Sequence, residues 1–169
     1  MKGSDAHAEY VRVAASELAI KPPRIDHVQA AGASMSLLTA WQFLVELGHR
    51  APSPFQSFDR EPISLSGKTV LVNGAGGGVG HLAVQAARWR GAHVIAVASS
   101  KHEALLRNLS AEQFLHYTTT SVEAAARDVD LVTDAVGGPH IERFLSVIKP
   151  WRSALSCQSA RFLRSRRGI

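Results

Sequence analysis

The chain has 169 residues, a single cysteine, 19 Lys plus Arg against 14 Asp plus Glu, and a sequence pI near 9.9. That length suits one ordinary domain or a small domain with an appendage. One cysteine excludes an internal disulfide and a Cys-rich zinc site. No run reaches the ~18 apolar residues of a membrane span. Asp5, His7, Glu9 and Arg12 interrupt the stretch where a signal peptide needs apolar residues, so a cytoplasmic location without a membrane partner is expected. All 14 acids lie in residues 1–150 beside 14 of the bases, so that body is neutral; the whole excess of +5 sits in residues 151–169.

Along the chain, Tyr10 to Val13 alternates in the manner of a strand, closed by Lys21-Pro22-Pro23. Asp26 offers an N-cap, and Val28 to Leu47 is helical in composition, with Gly48 as terminator and Gly32 and Ser34 as points where it could divide. Residues 49–67, with Pro52, Pro54 and Pro62, read as a long surface connection in which Phe55 and Phe58 seek something to pack on.

The pattern changes at Lys68. Thr69-Val70-Leu71-Val72 is a continuous β-branched run, as expected of a central parallel strand covered on both faces. A helix is predicted over 79–90, a strand over 93–98, a helix over 101–109, a strand over 113–116, a helix over 121–127, a strand over 130–135 and a helix over 139–148. Such alternation predicts an α/β fold, a Rossmann-type doubly wound parallel sheet with right-handed crossovers. The tail from Trp151 carries no comparable pattern and is expected to lie outside the sheet.

The segment Val72-Asn73-Gly74-Ala75-Gly76-Gly77-Gly78-Val79-Gly80 joins the first strand to its helix. It reads as A-x-G-x-x-G on Ala75, Gly77 and Gly80. A bare glycine motif is weak evidence, but strand, turn, helix and second strand are all in place here. Val79, Leu82, Ala83, Ala86 and Ala87 then form one apolar stripe. In such a turn the first small residue permits the bend, Gly77 admits a pyrophosphate to the backbone and Gly80 lets the helix pack closely. The N–H groups of Gly78, Val79 and Gly80 open the helix toward the phosphates. The alternative is a glycine turn without a ligand.

NAD sites place an acid about 20 residues on, at the end of the second strand. Here that place reads Ala98-Ser99-Ser100-Lys101-His102. Two hydroxyls and a lysine suit a 2′-phosphate, so NADP(H) is expected rather than NAD(H). Ser99 and Ser100 could equally cap the next helix, and both roles can hold together.

The chain resembles the medium-chain dehydrogenase/reductase superfamily, in its zinc-independent quinone oxidoreductase (zeta-crystallin-like) branch. The resemblance rests on Ala8-Glu9-Tyr10-Val11, Leu38-Thr39-Ala40-Trp41, the glycine segment, Gly91-Ala92-His93-Val94-Ile95 and Asp134-Ala135-Val136-Gly137-Gly138, and covers about residues 5–150. It implies a GroES-like catalytic domain joined to a Rossmann cofactor domain, NADPH-dependent reduction of quinones, enones or related carbonyls acting on a small-molecule substrate, and dimerisation. By resemblance, Lys101 and Tyr117 meet the 2′-phosphate, Thr39 approaches the nicotinamide, and Val136 and Gly137 form the loop passing the cofactor. Tyr117 reads as readily as a half-exposed strand-end aromatic, and Thr39 as a hydroxyl bonded back to its own helix.

On this resemblance the chain is an interior fragment: residues 1–24 a remnant of the catalytic domain, 25–65 connecting helices and a Pro-rich loop, 66–150 the NADP-binding domain, and 151–169 an atypical Arg-rich tail of out-of-frame or substituted sequence, leaving the sheet incomplete. No nucleophile, base and orienter come together, so no catalytic side chain is assigned; few are expected where the cofactor carries the reaction. The eight histidines are scattered without metal spacing, Cys157 has no identifiable partner, and Asp134 reads as a hydrogen-bonded strand-end carboxylate. Two other functions stay open: a dinucleotide-binding module without turnover, and nucleic-acid binding through the basic tail, against which stands weak polyanion binding by a disordered cationic tail.

Overall fold

In the computed structural model the described residues are 9–47, 64–156 and 162–164. The chain divides into two compact units, Met1–Gly32 and Ala33–Ile169. In the first, residues 10–14 form no strand, and Tyr10 and Val11 are exposed. Alternation provides a two-faced strip, but a strand also needs a neighbour to take its N–H and C=O groups, and none of the described residues supplies one. The Lys21 ammonium reaches the carbonyls of Pro22 and Ile25, closing the turn before the first long helix.

That helix, α1, runs His27–Trp41 and continues as a π-helical stretch over Gln42–Leu47. Asp26 caps it reciprocally: its carboxylate accepts from the Gln29 amide at 2.7 Å, while the Gln29 side-chain oxygen accepts from the Asp26 amide at 3.0 Å. Neither Gly32 nor Ser34 divides it. The predicted terminator Gly48 and the Pro-rich connection with Phe55 and Phe58 lie outside the described residues.

The second unit is built on a six-stranded sheet. In chain order come β1 (Thr69–Asn73), α2 (Gly78–Trp89), β2 (His93–Ala98), α3 (Glu103–Asn108), β3 (Gln113–His116), α4 (Val122–Ala125), β4 (Val129–Asp134), β5 (Ile148–Ser156) and β6 (Phe162–Arg164). A 3₁₀ turn at Ser100–His102 leads into α3, which occupies most of the helix predicted over 101–109, and a 3₁₀ segment at Pro139–Ser146 stands where an α-helix is predicted over 139–148. The spatial order is β3-β2-β1-β4-β5-β6, parallel from β1 to β5, with β6 antiparallel. This is the doubly wound order of a Rossmann sheet, so the connections diverge at β1 and leave a crevice beyond its carboxyl end.

Alternation along buried strands feeds two cores. Val70, Val72, Val94, Ala96 and Leu131 pack with Ala83, Val84 and Ala87 of α2 and with Leu106. Leu71, Ile95, Val97 and Val132 pack on the other face with Val122, Ile141 and Phe144. Val79 and Leu82 of the predicted stripe on α2 are half-buried against the first core. At the amino end of β4, buried Asp130 accepts from the Thr69 amide at 3.0 Å and from the Lys149 ammonium at 2.9 Å, joining β1, β4 and the start of β5.

The expectation that residues beyond Pro150 lie outside the sheet is corrected. β5 runs through Trp151 to Ser156, pairing Leu131 with Ser153 and Asp134 with Ser156, and β6 closes against it. The reason is backbone satisfaction: β4 is buried along its whole length, and its free edge needs peptide partners whatever side chains accompany them. A pattern reading that follows side chains misses a strand recruited by its neighbour's hydrogen bonds. In native-state hydrogen exchange, the amides of residues 153–155 are expected to be protected to within about 10-fold of those in β4. Exchange at the rate of free peptide would refute β5.

Candidate functional site: a glycine-lined cleft at the end of β1

The site is built from the turn outward. β1 ends at Asn73, and Gly74 turns the chain with φ +74, a left-handed conformation that favours glycine. The amides of Gly74 and Ala75 both donate to the Val97 carbonyl at 3.0 Å, and the Gly77 amide donates to the Gly74 carbonyl at 3.0 Å. The turn is thus sewn to β2 and folded on itself. A Cβ on Gly80 would stand 2.1 Å from the Gly74 carbonyl oxygen, so only glycine lets α2 close on the turn. Gly77 differs. Its φ of −85 is ordinary, and its nearest neighbour to a built Cβ is 3.4 Å away. Nor is Gly78 crowded: a Cβ there would sit 3.5 Å from the Ser36 hydroxyl. The protein's own packing does not require glycine at 77 or 78. What the missing side chains leave is open backbone at the start of α2, whose first N–H groups have no carbonyl within the helix.

The cleft in front of this turn has a volume of about 470 Å³. The turn contributes Gly74, Gly76 and Gly77, and the strand ends contribute Asn73, Val97 and Ala98. Past β2 come Ser99, Lys101 and His102, past β3 Tyr117, and past β4 Val136 and Arg143. Lys101, His102 and Arg143 border it and no carboxylate does among the described residues, so its field favours anions. Asp134, the acid that ends β4, is spent on structure. It is buried and accepts from Asn73 Nδ2 at 2.8 Å and from the Val136 and Gly137 amides at 3.0 and 3.2 Å.

Of the residues singled out from sequence, Gly77, Ser99, Lys101, Tyr117 and Val136 meet at this cleft. Ala75 lies buried beneath the turn, Val79 packs inward, and Gly78 and Gly80 stand at the helix start. Ser100 opens the short 3₁₀ turn, and the Ser99 hydroxyl makes no capping bond to it. Gly137 is held by Asp134 behind Val136. Tyr117 is 56% exposed, edge-on to the His116 ring. Thr39 does not line the cleft; its hydroxyl donates to the Met35 carbonyl at 2.8 Å within α1. Sequence reading passed over His102, whose ring lies where a Cβ on Gly76 would fall, and Arg143, which arrives from a segment with no motif.

A larger groove of about 550 Å³ lies between α1 and α2, lined by Leu37, Leu38, Trp41, Ala86 and Trp89, with Gln85 the only polar side chain. No charged side chain is among its lining residues.

Residues 78–157 match the family described as zinc-binding dehydrogenase. Over 150 residues the chain is 34% identical to NAD(P)H oxidoreductase RTN4IP1, mitochondrial, of Mus musculus, an alignment covering 87% of this chain and 35% of that protein. It is 35% identical over 132 residues to NADPH-dependent alkenal/one oxidoreductase, chloroplastic, of Arabidopsis thaliana, covering 77% of this chain and 30% of that one. The quinone oxidoreductase from Coxiella burnetii superposes with a TM-score of 0.63 at 30% identity, over 80% of this chain and 38% of that one. The chain belongs to the medium-chain dehydrogenase/reductase superfamily. It is quinone-oxidoreductase-like within the superfamily, and it spans about a third of the length of the curated relatives it matches. The matched family's description names zinc, but among the described residues no three His, Cys, Asp or Glu side chains gather as ligands. No described helix of this superfamily member is long and apolar enough to cross a membrane.

Two expectations follow. Gly80→Ala should cost about 2 kcal/mol or more in urea unfolding, whereas Gly77→Ala should stay within about 0.5 kcal/mol of wild type. The second concerns Glu123, whose carboxyl is held below the usual range by its own backbone N–H, then by the Ser121 hydroxyl, and least by Arg143. A depressed pKa contributes stability at neutral pH that is lost as pH falls through the native value. Glu123→Gln should therefore unfold at lower urea than wild type near pH 7. That gap should close below the ordinary Glu value of 4.5; a gap that widens in acid would contradict the assignment.

Proposed function

We propose that this chain is the nicotinamide-dinucleotide-binding part of an oxidoreductase that uses NADPH to reduce a quinone, an enone or a related carbonyl compound. One observation carries the reading. The glycine turn opens onto a cleft whose second-strand end offers Ser99, Lys101 and His102 instead of an acid.

The residues fit such a ligand. The open backbone at Gly77 and Gly78, with the N–H groups that begin α2, is suited to hold the pyrophosphate. Ser99 and Lys101 supply hydrogen bonds and a point charge to a 2′-phosphate, with Tyr117 beside them. Val136, fixed through its amide by Asp134, forms the opposite wall. When bound, the dinucleotide supplies the hydride. The protein's part at this end is to hold phosphates and ribose in register and to keep carboxylates away from them. Asp134 does the latter by remaining engaged with Asn73 and the loop amides. The names of the relatives, an NAD(P)H oxidoreductase and an NADPH-dependent alkenal/one oxidoreductase, support the same reading.

Fluorescence titration with both cofactors tests it. Wild type should bind NADPH more tightly than NADH. Lys101→Ala should shrink that preference by about 10-fold while leaving NADH affinity unchanged. Tighter binding of NADH by wild type would sink the NADP assignment. Turnover is a separate readout: binding without NADPH oxidation in the presence of a generic quinone would favour a binding module over an enzyme.

A further inference from the structure

Arg143 is a cleft residue with no assigned task. It sits in the 3₁₀ turn Pro139–Ser146 that follows β4, whereas Lys101 follows β2. Because β2 and β4 flank β1, the two cations border the cleft from opposite sides of the glycine turn. The Arg143 guanidinium lies 4.8 Å from the centroid of the buried Phe144 ring, which gives it a flat apolar seat. Its ionic partner is Glu123, at 3.6 Å from Nε to Oε1, too long for a hydrogen bond. With both side chains more than a third exposed, this pair is weak. Glu123 does not depend on it, since Oε2 accepts from the Ser121 hydroxyl at 2.8 Å.

We propose that Arg143 is a phosphate-binding residue of the cleft, parked against Glu123 when the cleft is empty and turning to the phosphate groups of a bound adenine dinucleotide from the β4 side. This rests on the reading of the cleft as a dinucleotide site. Glu123 keeps its Ser121 partner when the arginine leaves, so the exchange replaces a weak solvated pair by charge-assisted hydrogen bonds to phosphate.

The test is calorimetric titration of the full chain with 2′,5′-ADP and with adenosine, at two salt concentrations. Arg143→Ala should weaken 2′,5′-ADP binding by about 10-fold and flatten its salt dependence, leaving adenosine unchanged. Arg143→Lys should recover part of the loss. Glu123→Gln, which removes the competing carboxylate, should tighten 2′,5′-ADP binding by roughly 2- to 5-fold, a gain that misfolding cannot produce. Equal losses for adenosine and 2′,5′-ADP, an unchanged salt dependence, or weaker binding in Glu123→Gln would each overturn the proposal. If wild type binds neither NADPH nor 2′,5′-ADP, the dinucleotide reading itself fails; if wild type binds and Arg143→Ala binds equally well, only this inference does.

Discussion

The site depends on the absence of one carbon atom. Without a side chain at Gly80, the first turn of α2 rests on the Gly74 carbonyl, where a Cβ would come within 2.1 Å of the oxygen. That contact fixes where the helix begins relative to the strand it follows. It therefore sets the direction in which the unpaired N–H groups and the positive end of the helix point. Ala83, Val84 and Ala87, packed on Val70 and Val72, hold the rest of the helix to the same line.

Two buried aspartates manage the ends of β4. Asp130 gathers the amide of β1 and the ammonium that leads into β5. Asp134 gathers an amide side chain of β1 and two amides of the loop beyond. Burying a carboxylate is costly unless its oxygens are satisfied, and at both places donors from neighbouring segments satisfy them. Their roles stay apart. The first helps align strands at the end remote from the cleft. The second shapes the cleft wall and adds no free negative charge to it.

Much of this was legible in the sequence where side chains decide structure. β2 and β3 run where the alternation from apolar to turn residues puts them, and the reciprocal cap of α1 begins at the Asp26 chosen as its N-cap. The glycine turn was legible because strand, turn and helix each impose a residue type. Reading failed where structure is decided by partners. Residues 10–13 have a strand's pattern and no strand neighbour among the described residues, while residues 151–156 lack the pattern and are drawn into β5 by the bare edge of β4. Arg143 was invisible for a related reason. Its spacing carries no motif, and it joins the cleft only because the connection after β4 leaves the sheet at the same carboxyl end as the glycine turn. The +5 charge likewise changes meaning, since most of β5 and all of β6 lie within the segment that holds the excess.

The apolar groove has a consequence of another kind. Trp41 and Trp89 stand 5.9 Å apart, centroid to centroid, and Arg90 lies within 6.0 Å of both rings. Two of the three tryptophans in the chain thus share one environment at the far end of α2, the helix whose first turn forms the cleft. Indole emission is quenched and shifted by a neighbouring ring and a nearby cation. The pair is therefore a built-in optical probe, coupled through a single rigid rod to the place where a ligand would dock.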